Sequence, residues 1–242
     1  MERIIYDRIK ELEQSHWWFV ARREIIGDVL RRLNLPARAE ILEVGCGAGG
    51  NIPLLQDFGR VSALEPDPPS RAYVSERTGI DVKDGLLPDG LPFQPEAFDL
   101  VCAFDVVEHV DDDAGSVAAL ARLVKPGGAM LTTVPAYQWL WSHHDELHHH
   151  KRRYTLPAYR RIFEAQGLRI EKASHFNTLL FPPALATRTL KTLTGSKAPD
   201  DAMPAGWLNS VLTGVFRMER PLLAGIDLPF GMSIILAARK PG

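Results

Sequence analysis

A chain of 242 residues with 45% hydrophobic and 24% charged residues has the composition of a folded domain, which excludes an intrinsically disordered chain. Its formal net charge of −2 gives no overall attraction to nucleic acid or to an acidic membrane. Cys46 and Cys102 are too few for a disulfide scaffold, the N-terminus has no apolar signal core, and no segment is apolar for the length of a membrane span, so we expect a cytoplasmic protein without a transmembrane helix.

Strand and helix patterns alternate through the first part of the chain. Helical spacing of apolar residues predicts helices over 2–14 and 17–33, and Pro36 ends the second. The strands predicted after them are 41–44, 60–65, 80–83, 97–103 and 129–135. The helices predicted between these strands are 52–58, 70–78 and 113–124, with a turn at 125–128. This alternation predicts an α/β fold with a doubly wound parallel sheet.

The C-terminal part has a less regular pattern. A helix is predicted over 156–167, where Gly167 ends it, and a strand follows over 169–176. The apolar stretch 179–228 is broken by prolines and predicts inserted helices rather than a separate domain. The nearly continuous apolar residues of 231–240 predict a last strand.

A glycine-rich turn, written EVGCGAGG, follows the first predicted strand. Its glycines allow backbone amides to meet a ligand and allow the next helix to approach closely. Glu65 ends the second predicted strand, where an acidic side chain can accept hydrogen bonds from both hydroxyls of a ribose. The glycine spacing is not the G-x-G-x-x-G form of dinucleotide sites. The alternative is that the turn only connects a strand to a helix.

Six segments occur in a fixed order along the chain: ILEVGCGAGG, ALEPDP, DGLLPDGLPF, FDLVCAFDVVEHV, LVKPGGAMLTTVP and HHHKRRYTLPAYRRIFEAQGL. With these segments the chain resembles class I S-adenosylmethionine-dependent methyltransferases, of the broad group called type 11 methyltransferases. An HWWF…RR helix at the start is similar to that of one subgroup. The resemblance implies a Rossmann-like seven-stranded sheet in a single domain over 1–242. Its parts would be an N-terminal helical lid (1–35), a cofactor-binding core (36–178), a helical insert (179–228) and the last strand (229–242).

The resemblance also implies S-adenosyl-L-methionine as the cofactor and S-adenosyl-L-homocysteine as the product. Backbone groups of the turn would hold the methionine moiety, Glu43 would position that turn, and Glu65 would bind the ribose. In the lid, Trp18 would shield the cofactor and Arg22 would reach its carboxylate, although this helix start can also be explained by packing on the sheet. The other cofactor contacts that we expect are Gly45, Cys46, Gly47, Gly49, Pro66, Gly85, Leu86, Phe104, Asp105, Val106 and His109.

A histidine-rich run, HHDELHHHKRRYT, holds five of the eight histidines over 143–155. It follows the fifth predicted strand, and ligands of α/β sheets bind at the carboxyl ends of the strands. We therefore predict that it borders the acceptor pocket, with His150 as a general base or orienting group. Asp145 and Tyr154 would support His150, and Arg153 would bind an anionic group of the substrate. Alternatively, the run is a wall of ion pairs with its other histidines in solvent.

Metal and nucleic-acid sites are less well supported. The histidines of the run are adjacent rather than spaced as in zinc patterns. Asp105, Glu108 and His109 resemble the acid-x-x-Glu-His pattern that binds a divalent metal in some ubiquinone-pathway O-methyltransferases. Asp105 is expected beside the cofactor, however, so we predict no metal. A single basic cluster next to two acidic residues predicts no nucleic-acid partner.

The acceptor is not identified by any motif. An O-methylation of a carboxylate or hydroxyl is expected, on a small molecule or peptide. The alternatives are carbon or nitrogen methylation, or a non-catalytic cofactor-binding partner in a biosynthetic complex. The 179–228 segment would be core packing, a hydrophobic roof over the substrate, a dimer face, or a peripheral membrane contact that receives a lipid-linked acceptor. The protein would be a monomer or a homodimer.

Overall fold

The protein folds around one sheet in the computed structural model, which describes residues 3–194 and 202–242. The strands are β1 (Ala39–Val44), β2 (Gly59–Leu64), β3 (Val82–Lys83), β4 (Phe98–Phe104), β5 (Val124–Pro135), β6 (Arg169–Phe176) and β7 (Ser233–Arg239). The helices before β6 are α1 (Arg3–Leu12), α2 (Trp17–Arg32), α3 (Ile52–Gln56), α4 (Pro68–Thr78), α5 (Asp113–Leu123), α6 (His143–Leu147) and α7 (Leu156–Glu164). The helices between β6 and β7 are α8 (Phe181–Thr194), α9 (Gly206–Arg217) and α10 (Glu219–Gly225).

The seven strands lie in the order β3-β2-β1-β4-β5-β7-β6. The first five pair in parallel, and β7 pairs antiparallel with both β5 and β6. The central strand β4 is buried at nearly every position because helices cover both faces of the sheet. The predicted α/β fold with a seven-stranded Rossmann-like sheet is confirmed.

Two hydrophobic clusters lie on opposite faces of the sheet. One includes Ile25 and Ile26 of α2 together with Phe216 of α9. The other includes Leu120 of α5 together with Tyr159 and Phe163 of α7. Burial of these side chains between helix and sheet provides the main driving force for the layered architecture.

The insert helices pack against α2. Asn209 of α9 accepts a hydrogen bond from the backbone nitrogen of Trp17 at 2.8 Å and donates to the carbonyl of Ser15 at 2.8 Å. The Arg220 guanidinium bonds to Asp28 at 2.6 Å. The predicted lid and insert are therefore in contact. Their predicted ranges include 1–2 and 195–201, which lie outside the described residues, and their boundaries stay predictions.

Two local predictions are wrong. The predicted turn at 125–128 lies within β5, because its backbone pairs with Lys240 at both Gly127 and Gly128, at 3.0 and 2.9 Å. No helix was predicted over 143–147, and these residues form the helix α6. Ser142 precedes α6, and its backbone nitrogen donates to Asp145 at 2.8 Å, which is the N-terminal signal of a capping box. Within the described ranges, no helix is long and apolar enough to cross a membrane.

Candidate cofactor and acceptor site

The glycine turn brings the ends of β1 and β4 together. Gly45 and Gly47 have φ angles of 67° and 56°, a conformation that glycine adopts without the steric cost of a side chain. A Cβ on Gly45 would lie 2.7 Å from a methyl of Val106, so a side chain would push the two strand ends apart. A Cβ on Gly47 would meet no atom within 4 Å. The turn is therefore packed on one side and open on the other, as a backbone cradle requires.

Glu65 joins this turn to the end of β2. Its carboxylate is buried and accepts hydrogen bonds from the backbone nitrogens of Gly47 at 2.8 Å and Asp67 at 3.0 Å. Hydrogen bonds to a carboxylate are charge-assisted, so they hold the side chain in one position. The structure thus places Glu65 at the carboxyl edge of the sheet beside the open turn.

Glu43 lies beneath the turn and is fully enclosed. One carboxylate oxygen accepts a hydrogen bond from Asn51 at 2.8 Å, and the other meets no partner among the residues the structure describes. Burial raises the pKa of Glu43 to about 7. Asn51 was not predicted from the sequence, because an asparagine before a helix usually indicates only a cap. Here its side chain bonds Glu43 instead of capping α3.

Arg22 extends from α2 to the ends of β4 and β5. It is buried, forms an ion pair with Asp105, and donates to the hydroxyl of Thr133 at 2.8 Å. The guanidinium lies 4.8 Å from the Trp18 ring centroid and 5.6 Å from that of Phe104, within the range of cation–π attraction. The Arg22 Nε has no partner in the described part of the chain. Arg22 was expected to reach a cofactor carboxylate, and in the structure it bonds Asp105.

The other expected cofactor residues differ in how exposed they are: some are packed against the core and others lie at the surface. Gly49 packs on Val74, where an added Cβ would be 2.9 Å away, and Gly85 packs on Leu64 at 2.6 Å. Leu86 is 62% exposed at the rim, and the carbonyl of Pro66 accepts from Arg71 at 2.8 Å. Burial raises the pKa of Cys46, so its thiol stays protonated.

His150 and Asp145 form a hydrogen-bonded pair in the run after β5. His150 Nδ1 lies 2.8 Å from Asp145 Oδ1. Burial would raise the pKa of Asp145, but the hydrogen bonds from His150 and Arg153 outweigh it and lower the pKa well below its usual value. Because the ionised carboxylate can only accept, Nδ1 of His150 is the donor, and Nε2 keeps its lone pair when the ring is neutral.

Arg153 and Tyr154 do not take the places expected for them. The Arg153 guanidinium is enclosed and donates to both oxygens of Asp145, at 2.7 and 3.0 Å, and to the carbonyl of Ala136 at 3.2 Å. It therefore has no free face for an anionic substrate group. The Tyr154 hydroxyl donates to Asp113 at 2.9 Å instead of supporting His150, and burial raises its pKa. Both residues fasten the run to the core.

His150 also lies close to Glu108 and His109, which lie just after β4. One ligand atom from each lies within 4.8 Å of the others, and the rings of His109 and His150 are 4.7 Å apart. Glu108 is completely buried, and neither of its carboxylate oxygens has a hydrogen-bond partner among the residues described. Burial raises the pKa of Glu108, and the charge of Asp105 raises it further. No sequence pattern links Glu108 with His150, because 42 residues separate them.

An aromatic surface lies on the other side of the end of β5. Tyr137 stacks with Trp139 and with His175, with ring centroids 5.6 and 5.3 Å apart. Phe181, at the start of α8, lies 6.2 Å from Trp139 and 5.7 Å from Phe230. The Trp139 side chain is 62% exposed. Tyr137 and Trp139 are close together in the sequence, but His175 and Phe181, which contact them, come from distant segments.

Comparison with known families identifies a methyltransferase domain, whose sequence profile matches residues 18–173. A probable S-adenosylmethionine-dependent methyltransferase of Mycolicibacterium smegmatis is 33% identical over 129 residues, which cover 52% of this chain and 49% of that protein. A ubiquinone biosynthesis O-methyltransferase of Methylocella silvestris is 37% identical over 95 residues, which cover 37% of each chain. The chain thus matches about half or less of the length of these curated relatives.

Solved structures share the fold over nearly the whole chain. A Haloferax volcanii methyltransferase in complex with the Trm112 methyltransferase activator has a TM-score of 0.64 at 19% identity, covering 99% of this chain and 95% of that chain. Phosphoethanolamine N-methyltransferase 2 of Haemonchus contortus, in complex with phosphomonomethylethanolamine and S-adenosylhomocysteine, has a TM-score of 0.61 at 17% identity. That match covers 90% of this chain and 53% of the other. At these identities the likeness shows the fold alone.

Proposed function

Because the chain belongs to the methyltransferase-domain family, we propose that it is an S-adenosylmethionine-dependent O-methyltransferase. The acceptor is a hydroxyl or carboxylate on a small molecule or peptide. The expected cofactor, S-adenosyl-L-methionine, is the one named for its curated relatives. S-adenosyl-L-homocysteine, the expected product, is bound in one structural neighbour. The observation that carries the choice of oxygen is the His150–Asp145 pair.

The cofactor side of the reaction follows from the turn and the strand ends. The ribose hydroxyls would donate to Glu65, which the amide of Gly47 already holds in place at 2.8 Å. The amino-acid end would lie over the open glycine turn, near Arg22 and Asp105. Arg22 Nε, which lacks a partner in the described chain, is a donor for the cofactor carboxylate. Trp18 lies against Arg22 and would cover the site.

The chemical step is an in-line displacement at the sulfonium methyl. A bond forms between the acceptor oxygen and the methyl carbon while the carbon–sulfur bond breaks, and the sulfur keeps the electron pair. A hydroxyl acceptor must lose its proton, and the lone pair of His150 Nε2 can take it. Asp145 stabilises the imidazolium that results, as in other paired histidines. A carboxylate acceptor would already be ionised and would need no base.

The aromatic surface supports a flat apolar acceptor. Tyr137, Trp139 and Phe181 present rings at the edge of the sheet where the acceptor would enter. Stacking on such rings contributes area burial plus about 0.5–1.5 kcal/mol for a well-placed aromatic pair. A phenolic small molecule, or an aromatic residue of a peptide, fits this surface. The O-methyltransferase named among the relatives agrees with an oxygen acceptor.

The proposal is tested by transfer of a deuterated methyl group. The purified chain is incubated with S-adenosylmethionine labelled at the methyl, and with separate panels of phenols, carboxylic acids and amines, and products are analysed by mass spectrometry. We expect labelled methyl ethers of phenols. Methylation of amines alone would replace oxygen by nitrogen as the acceptor atom. Binding of the cofactor without transfer to any panel would favour a non-catalytic partner.

His150 is tested with the same assay. His150→Gln should lower kcat on a phenol roughly 100- to 10,000-fold, the range for loss of a general base. His143→Gln, an exposed histidine of the same run, is the control and should leave kcat unchanged. If the folded His150→Gln variant turned over the phenol as fast as wild type, His150 would be excluded from catalysis.

Setting and assembly are proposals as well. Both cysteines are free and buried, which supports a cytoplasmic setting. On α9 and directly after it, Trp207, Val211 and Met218 are exposed by 72%, 52% and 62%. This apolar face supports contact with a second copy, a membrane surface or a lipid-linked acceptor. Light scattering distinguishes monomer from homodimer.

A further inference from the structure

The fourth glycine of the EVGCGAGG turn lies against a carboxylate from the N-terminal segment. A Cβ on Gly50 would overlap Oε2 of Glu13, whose side chain is only 4% exposed. The φ angle of Gly50 does not lie in the left-handed region, so its backbone conformation does not require glycine. Space for the Glu13 carboxylate therefore explains why this position has no side chain.

Glu13 is held in this place by α4. The Arg77 guanidinium donates to Oε1 of Glu13 at 2.6 Å. Burial would lower the pKa of Arg77, but the hydrogen bond and the charge of Glu13 outweigh it and raise the pKa. Next to this pair, the ring of Tyr73 lies 5.4 Å from the Arg77 guanidinium and 4.6 Å from the Lys10 ammonium of α1. Two contacts therefore fasten the end of α1 to α4.

Glu13 is also joined to α2, which carries the proposed lid residues. Its backbone carbonyl accepts a hydrogen bond from the Arg23 guanidinium, and Nη1 of Arg23 would lie 3.5 Å from a Cβ on Gly50. Trp18 and Arg22, which would cover the cofactor and bind its carboxylate, follow Glu13 within nine residues. Glu13 is therefore the residue at which the lid, the glycine turn and α4 meet.

Stability of the fold alone does not explain this ion pair. Replacing a buried ion pair with well-packed apolar residues is often neutral or stabilising, because both charges lose hydration on burial. The Glu13 side chain is enclosed, and that of Arg77 is 28% exposed, so the pair loses much of its hydration. Its effect therefore lies in the arrangement of the segments that it joins, which are the end of α1, the glycine turn and α4.

We propose that Glu13 is a positioning residue for the amino-acid end of the cofactor, because it fixes α2 over the glycine turn through Arg77 and Gly50. This inference rests on the proposed binding of S-adenosylmethionine. The amino-acid end would lie over the turn and near Arg22, whereas the ribose would be held by Glu65, whose hydrogen bonds come from the turn and from the residues after β2. Loss of Glu13 should therefore weaken binding of the amino-acid group and leave binding of the nucleoside largely unchanged.

The test is calorimetric titration of the full chain with two ligands, S-adenosylhomocysteine and methylthioadenosine, which has the same adenosine and sulfur but no amino-acid group. Glu13→Ala should weaken binding of S-adenosylhomocysteine at least roughly 5-fold, because the lid is no longer preorganised, and should change binding of methylthioadenosine less than about 2-fold. Glu11→Ala, an exposed glutamate of α1, should bind both as wild type does. Equal weakening of both ligands, or no weakening of either, would overturn the proposal.

Gly50→Ala displaces the same carboxylate without changing Glu13. In the otherwise wild-type chain, it should weaken binding of S-adenosylhomocysteine about as much as Glu13→Ala does. In the Glu13→Ala background it should have no further effect, because the added Cβ then enters the vacated space. Additive losses in the double variant would show that the two positions act independently, against the proposed contact. Thermal melts show which variants fold, and Glu13→Gln serves if Glu13→Ala does not.

Hydrogen exchange of the ligand-free chain separates this inference from the proposed function. Glu13→Ala should speed amide exchange in the turn over 45–51 and at the start of α2, and Glu11→Ala should not. A wild-type chain that binds neither ligand would contradict the proposed function, whereas this exchange still reports on the contact made by Glu13. Unchanged exchange in the turn of Glu13→Ala would overturn the role of Glu13, whatever the ligand titrations give.

Discussion

Glu43 is a buried carboxyl beneath the glycine turn whose protonation depends on pH near neutrality. Its folded pKa of about 7 lies above the ordinary 4.5 because of burial. The folded protein therefore holds a proton between these values that the unfolded chain releases. The free energy of unfolding falls as pH rises from about 4.5 to 7 and changes no further above that range. Burial of Glu43 beneath the turn therefore lowers the stability of the protein at neutral pH.

Replacing Glu43 should remove this contribution to the pH dependence of the free energy of unfolding. Glu43→Gln keeps an acceptor for Asn51 but cannot ionise. Between pH 5 and pH 8 the wild type should lose about 2–3 kcal/mol of unfolding free energy relative to the variant, because only the wild type must ionise a buried carboxyl. Urea denaturation at both pH values measures it. Parallel pH profiles for the two proteins would contradict a raised pKa at Glu43.

Individual residues of the site were predictable where a local motif marks them. The glycine turn and Glu65 follow strands with obvious periodicity, and the structure brings Gly47 and Glu65 into contact at 2.8 Å. Arg153 was assigned to the substrate because a sequence does not show which charges are buried together. Its bonds to Asp145 arise from the fold of the run and have no pattern along the chain.

The contact between α2 and α9 connects two segments that are distant in sequence. Asn209 bonds both Trp17 and Ser15, so α9 holds the start of the helix that carries Trp18 and Arg22. The Arg220–Asp28 ion pair adds a second contact further along α2. We therefore propose that the insert restricts movement of the proposed lid.

Loosening that contact should affect the lid selectively. Asn209→Ala removes two hydrogen bonds, each contributing about 1 kcal/mol, and should increase amide exchange at the start of α2 but not in β1. Ser210→Ala, which removes only a hydroxyl bonded within its own helix, is the control. Exchange measured by mass spectrometry checks both. Unchanged exchange at Trp17 in Asn209→Ala would show that α9 does not hold the lid.

Elements were easier to predict than their exact extent. Short continuous runs of apolar residues predicted the parallel strands, because a strand buried on both faces is apolar throughout. The sequence pattern did not predict α6, since a five-residue helix offers too few positions for helical periodicity, although Ser142 and Asp145 mark its start. Residues 125–128 were predicted as a turn because their strand partner, Lys240, lies at the far end of the chain and cannot be identified from the local sequence.

The whole molecule gathers its functional groups at the carboxyl edge of one sheet. The glycine turn follows β1, Glu65 follows β2, Asp105 and Glu108 follow β4, and the histidine run follows β5. This arrangement is a consequence of parallel topology, and so the sequence could predict it. The convergence of Glu108, His109 and His150, and the aromatic surface from four segments, depends on tertiary packing and could not be predicted.

Cofactor binding is the most direct test of the central claim. Calorimetric titration of the full chain with S-adenosylhomocysteine should show one saturable site. Loss of hydrogen bonds to a charged group costs about 1.5–3 kcal/mol, so Glu65→Ala should weaken binding roughly 10- to 100-fold. Glu76→Ala, an exposed glutamate of α4, should bind as wild type does. The absence of saturable binding to the folded wild-type chain at millimolar ligand would contradict its assignment as an S-adenosylmethionine-dependent methyltransferase.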